Sequence, residues 1–313
     1  MEPLKSTEIF GNWATLLLPI DKSDEIDYSL LGTEIDRLIA FGVNGIYSNG
    51  TAGEFYNQTE KEFDAVNELL AAKCNAAGMP FQIGCSQMSP LLSLERVRRS
   101  LQYKPGAIQI ILPDWFPPTF EEIINFLKRI IDAAEGIGIV LYNPPHSKIK
   151  FVPADFDRLR NAGVSLVGTK LAGGNEEWYS EMRKSAPDLS VFIPGHHLAT
   201  GIKSGAHGAY SNVACLHPLV AQQWYRTMLT NMPAALELQA RIQQFMQECI
   251  IPFITADNYS NQAVDKFMAA LGAWSPITPR LRWPYKSIPE KQILSVRERA
   301  EKILPEFFNV VYE

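Results

Sequence analysis

Short apolar runs alternate along this chain, as far as about Asn212, with longer stretches in which apolar positions recur every three to four residues. Residues 14–18 read as a first strand. Residues 28–41 read as a helix, built on Leu30, Leu31, Ile35, Leu38 and Ile39 and closed by Gly42. Residues 45–48 and 59–77 form the second pair. That helix opens at Thr59, where an N-cap hydroxyl is expected, with Glu62 three positions on, and Gly78 stops it. Residues 80–84 with 89–103, and 107–112 with 119–135, give the third and fourth pairs, the last opening on the capping-box pattern Thr119-Phe-Glu-Glu122. Strand-like runs come next at 138–142, 165–170, 189–193 and 207–211, with helical stretches at 153–162, 175–185 and, more weakly, 199–206.

About eight such units over some 200 residues match a (β/α)8 barrel, because right-handed crossovers between parallel strands close at that number. An open doubly wound sheet competes, but no Gly-rich dinucleotide fingerprint follows the first strand. From about Pro218 the strands stop, and residues 234–249, 261–271 and 290–304 carry helical periodicity. The expected organisation is a TIM-type barrel over residues 1–220 carrying the active site, and a C-terminal helical region over 221–313. The Pro-rich segment from Pro276 to Pro284 carries Leu281 and Trp283 and reads as an ordered arm.

Composition acts here mainly by exclusion. The 313 residues hold 29 Lys and Arg against 34 Asp and Glu, with no basic block, which argues against nucleic acid or an anionic membrane as partner. No apolar run approaches the roughly 20 residues that span a bilayer, and the polar N-terminus lacks a signal-like apolar stretch. Cys74, Cys85, Cys215 and Cys249 are scattered, as fits reduced thiols in a cytoplasm better than disulfides or a zinc site. The expectation is a cytoplasmic protein that acts on a small molecule without a metal.

In a barrel of this kind the working residues sit at the carboxyl ends of the strands. The run Ser165-Leu-Val-Gly-Thr-Lys170 ends in a lysine. Loss of hydration there disfavours the charged amine and leaves some of it free to attack a carbonyl, which is how a Schiff-base lysine is made. The plainer alternative is a strand-end lysine reaching into solvent. Asn49-Gly-Thr-Ala-Gly-Glu54 follows the second strand, with glycines that free backbone N–H groups to meet a carboxylate, although a simple turn explains the pattern as well. Pro113-Asp-Trp-Phe116 offers a rigid wall, a subunit contact or core packing. Tyr142-Asn-Pro-Pro-His146 sets a possible proton carrier in a proline-stiffened turn. Pro194-Gly-His-His197 offers imidazoles for a polar substrate tail, or structural histidines. Tyr210 and Ser211-Asn212 end the eighth strand.

Gly50-Thr-Ala-Gly-Glu54, Tyr142-Asn-Pro-Pro145, Gly168-Thr-Lys170, and Gly195 with Gly205-Ala-His-Gly208 occur in this order at successive strand ends. In combination they resemble the dihydrodipicolinate synthase / N-acetylneuraminate lyase family, from about Trp13 to Pro218. The resemblance implies a class I aldolase or lyase on a (β/α)8 barrel, a homo-oligomer (dimer or tetramer) that uses no metal or organic cofactor. Lys170 would form an imine with pyruvate or another 2-oxo acid, and a C–C bond to an aldehyde would break or form beside it. Tyr142 would shuttle the proton, Thr51 would hydrogen-bond Tyr142, and the N–H groups of Thr51 and Ala52 would hold the substrate carboxylate. Gly50, Asp114, Trp115, His146, His196, His197 and Tyr210 complete the expected substrate-binding set.

Three positions depart from the lysine-pathway synthases. Ala52 replaces a second threonine, and Asp114-Trp115 stands where a Tyr-Tyr pair is usual, an indole being unable to relay a proton as a phenol does. His146-Ser-Lys148 stands where an arginine meets the second substrate's carboxylate. The expectation is therefore an enzyme outside lysine biosynthesis. Two further readings stay open: a 2-keto-3-deoxy sugar-acid dehydratase using the same imine, and a non-catalytic metabolite-binding barrel.

Overall fold

A computed structural model describes residues 1–310. Eight parallel strands form a closed barrel in sequence order: β1 (Gly11–Thr15), β2 (Gly45–Ser48), β3 (Phe81–Gly84), β4 (Ala107–Ile110), β5 (Gly138–Tyr142), β6 (Gly168–Lys170), β7 (Ser190–Pro194) and β8 (Gly208–Tyr210). β1 closes the ring by pairing Gly11 with Gly208 and Trp13 with Tyr210. A Cβ at Gly208 would lie 2.4 Å from the Gly11 carbonyl oxygen, so only glycine lets these two strands meet.

The connecting helices are α1 (Tyr28–Ala40), α2 (Glu60–Ala77), α3 (Pro90–Ser100), α4 (Phe120–Ala133), α5 (Pro153–Asn161), α6 (Glu176–Ser185) and α7 (Leu198–Ser204). Their ends obey the local chemistry of the sequence. Thr59 with Glu62 and Thr119 with Glu122 form complete capping boxes, and Gly78 ends α2 in the left-handed region at φ +64°. The C-terminal region consists of α8 (Asn212–Leu216), α9 (Pro218–Thr230), α10 (Met232–Phe245), a π-turn over Met246–Ile250, α11 (Ile251–Thr255), α12 (Asn261–Gly272) and α13 (Gln292–Ile303).

Two cores result. One, between strands and outer helices, runs on into the C-terminal helices, burying Trp224, Phe245, Phe267 and Trp274. The other fills the barrel: Trp13 meets Phe192 and Tyr210 edge-on at 6.2 and 6.3 Å, and Tyr47 lies 4.4 Å from Tyr210 between ring centroids. These rings plug the interior, so anything bound sits above them, at the carboxyl ends of the strands.

The first strand differs from the expected 14–18: the ladder covers 11–15. Leu16, Leu17 and Leu18 are all buried, but beyond the ladder. A continuous apolar run has no alternation to fix its register, and the Gly11 pairing fixes it instead. The sixth strand is likewise shorter than 165–170. Periodicity alone does not mark α8 and α9. Among the described residues no helix is long and apolar enough to cross a membrane.

Candidate active site

Above the aromatic plug lies a cavity of about 530 Å3. The barrel contributes Gly50, Thr51, Ala52, Tyr142, His146, Lys170, His196, His197 and Tyr210 to its lining, and the helical region contributes Gln243, Met246, Gln247, Ile251, Ile254, Asn261, Val264 and Asp265. The expected boundary at residue 220 thus runs through the cavity wall.

Lys170 ends β6 with its side chain half-buried, and its Nζ lies over the Tyr142 ring, 4.7 Å from the centroid. β5 and β6 set this contact directly, because Tyr142 and Lys170 are register partners. Asn143 shapes the turn beyond β5: its Oδ1 accepts from the Phe151 N–H at 2.9 Å and its Nδ2 donates to the Ile149 carbonyl at 2.9 Å, holding the loop that carries His146. On the opposite side, Asn49 and Glu54 bracket the 50–53 turn in the left-handed region, at φ 53° and 51°. The N–H groups of Thr51 and Ala52 have no hydrogen-bond acceptor among the described residues, so this turn presents free donors to the cavity. The expected hydrogen bond between Thr51 and Tyr142 is not made.

The remaining expected residues divide. The His196 and His197 rings lie with centroids 4.2 Å apart and planes tilted by 50°; the His196 backbone N–H donates to Asn212 Oδ1 at 3.2 Å, and His197 Nδ1 lies 3.1 Å from Gln243 Nε2. Burial, the second imidazole and the Lys170 charge push His196 down to about 4, so it is neutral near pH 7. Tyr210 lines the cavity floor, but its hydroxyl donates to Gln82 Oε1 at 2.8 Å, which commits it to the barrel interior. Asp114 and Trp115 do not line the cavity. Asp114 Oδ1 accepts from the Lys148 N–H at 2.9 Å, Lys148 Nζ donates to the Trp115 carbonyl at 2.8 Å, and the Trp115 side chain points outward, 81% exposed. This pair ties two rim loops together. Proline-bounded turns keep the indole on the outside, where sequence order alone does not place it.

Sequence reasoning missed Asp265. It lies on α12 and lines the cavity, half-enclosed by protein. That enclosure pushes its carboxyl up to about 7, while the Lys170 ammonium draws it down. A signal was present: Asn261 and Asp265 lie one helical turn apart and so share a face of the helix, with Gln262 and Lys266 forming a second such pair beside them. Neighbouring Lys266 is fully buried; its Nζ donates to Glu54 Oε1 and to the Arg280 carbonyl, both at 2.6 Å. Among the described residues no group of three or more His, Cys, Asp or Glu side chains is placed to hold a metal.

Residues 8–303 match the dihydrodipicolinate synthetase family. An N-acetylneuraminate lyase from Escherichia coli SMS-3-5 is 28% identical over 208 residues, covering 65% of this chain and 68% of that protein. Among solved structures, an E. coli K12 prophage protein of the dihydrodipicolinic acid synthase family, in complex with pyruvate, superposes with a TM-score of 0.81 at 18% identity, covering 94% of this chain and 98% of the other. The Ruminococcus gnavus sialic acid aldolase superposes equally well, at 0.81 and 18%, over 96% and 98% of the two chains. At that identity the likeness of structures is one of fold.

Proposed function

Because the chain belongs to the dihydrodipicolinate synthetase family of class I aldolases, we propose that it is a lyase that forms a Schiff base between Lys170 and pyruvate or a related 2-oxo acid. The observation that carries this reading is the Lys170 amine, set over the Tyr142 ring in a cavity whose other side presents the unpaired N–H groups of Thr51 and Ala52. Those donors suit the substrate carboxylate, and the amine suits its keto carbon. The protonated imine is an electron sink: it accepts the bonding pair when a C–C bond beside it breaks, and returns it when the enamine attacks an aldehyde.

The helical wall narrows the choice of aldehyde. Met246, Ile251, Ile254 and Val264 face the cavity together with Gln243, Gln247 and Asn261. An aldehyde with an apolar body and few hydroxyls fits such a wall better than a polyhydroxylated sugar. His146 sits at the mouth without a guanidinium beside it, so aspartate semialdehyde gains no bidentate partner there. The same reading extends to assembly as a homo-oligomer.

Intact-protein mass after pyruvate and then borohydride tests the imine. The native protein gains a stable pyruvate adduct and Lys170→Ala does not. The absence of an adduct on the native protein, with pyruvate and with longer 2-oxo acids, would overturn the reading. An aldehyde screen then tests the wall: faster turnover of aspartate semialdehyde than of aromatic or aliphatic aldehydes would reject it.

A further inference from the structure

The cavity holds an ionisable group for which the roles of Lys170, Tyr142 and Thr51 leave no place. Asp265 enters from α12 into the cavity that Lys170 also lines, close enough to feel its charge, and its carboxylate has no hydrogen-bond partner among the described residues. Its orientation is fixed from behind. Lys266, the next residue, is clamped to Glu54 and to the Arg280 carbonyl, and Trp274 Nε1, just past the helix, donates to the Cys215 carbonyl at 2.8 Å. With the helix held at these points, Asn261, Val264 and Asp265 are kept turned to the cavity. The titratable groups around the carboxyl are Lys170 on β6, Tyr47 on β2 and Cys215 on α8, and of these Lys170 is the cation.

We propose that Asp265 is the general acid–base that moves the proton at C3 of the 2-oxo acid once it is bound to Lys170; this rests on the imine reading above. In the synthetic direction the carboxylate takes a proton from C3 of the iminium. The C3–H pair becomes the C2=C3 double bond, the C=N pair returns to nitrogen, and the carboxyl is left protonated. In cleavage the same carboxyl returns its proton to the enamine carbon: the C2=C3 pair becomes the C3–H bond, the nitrogen lone pair reforms the C=N bond of the iminium, and the carboxylate is left ionised. No oxidant or metal is needed. A carboxyl titrating at about 7 gives and takes a proton at comparable cost near neutrality, and the iminium provides the positive charge that its ionised form faces. The division of labour also answers the missing second tyrosine, since C3 is served from the helical wall and Tyr142 is left for the aldehyde oxygen.

The test needs only pyruvate. Solvent deuterium entering the pyruvate methyl group is followed by NMR, beside borohydride adduct formation, for the native protein, Asp265→Asn and Asp265→Glu. Asp265→Asn keeps the adduct and loses exchange by about 100-fold, together with the rise of exchange rate with pH through neutrality. Asp265→Glu recovers part of the rate with a displaced pH profile. Native-like exchange in Asp265→Asn overturns the proposal while leaving the imine intact. Parallel loss of adduct and exchange in both variants also overturns it, by showing a structural role. No adduct on the native protein removes the imine reading and this proposal with it.

Discussion

His196 and Asp265 carry opposite pH signatures, and these can be measured without a substrate. The imidazole is depressed from 6.5 to about 4 chiefly by burial. Below about 6.5 the unfolded chain takes up a proton that the folded one refuses, so this group's contribution to stability is lost as pH falls towards 4 and is steady above 6.5. The carboxyl is raised from 3.8 to about 7, again chiefly by burial. Between those values the folded chain holds a proton that the unfolded one has released, so its contribution declines as pH rises and is fully lost above about 7. Asp265→Asn therefore raises the melting temperature more at pH 8 than at pH 5, by calorimetry or circular dichroism. An equal shift at both pH values would show that the carboxyl titrates as an exposed one does.

At the scale of elements, the helix α12 decides what the barrel can do, because it carries Asp265 into the cavity on one face and anchors itself through Lys266 on another. Lys266→Met leaves Glu54 buried without its cation, and breaking a buried pair in this way costs about 3–5 kcal/mol. Denaturant unfolding should show a loss of that order, with much of it recovered in the double variant Lys266→Met, Glu54→Gln; a loss below about 1 kcal/mol, typical of an exposed pair, would mean that the bond does not anchor the helix. The same helix marks how far the sequence could be read. Its extent, 261–271, follows from periodicity and agrees with Asn261–Gly272. Its rotation depends on Glu54, some two hundred positions earlier, and no local pattern records that. Capping boxes at Thr59 and Thr119 were legible because the partners are three residues apart. Lys170, Tyr142 and Thr51 were legible as strand-end residues because a closed parallel barrel gathers such ends around one cavity. Trp115 was not, because a loop residue can point either way from the same backbone.

At the scale of the whole molecule, the two most exposed large apolar side chains among the described residues are neighbours in sequence. Trp115 and Phe116, 81% and 83% exposed, stand beside a groove between α3 and α4 lined by Leu91, Leu94, Pro113 and Pro118, with Leu91 itself largely in solvent. Glu122, Asn125 and Arg129 also line the groove, so exposed apolar side chains are edged by polar ones there, and an apolar patch with a polar rim is a mark of association. Rigid proline-bounded aromatics suit the centre of an interface, since little side-chain freedom is lost when they are covered. Light scattering of the native protein is expected to give a mass above that of one chain, and Trp115→Ser with Phe116→Ser to lower it; a native monomer would reject the assembly. The face also bears on the chemistry. Lys148 joins the Trp115 loop to the loop that carries His146 at the cavity mouth. Dissociation should accordingly raise the KM for the aldehyde while leaving the borohydride-trapped pyruvate adduct intact, because the amine on β6 and the donors of the 50–53 turn are held within one chain, by the barrel and by the Glu54–Lys266 pair. Loss of the adduct in the dissociated variant would place the control of Lys170 across the subunit contact instead.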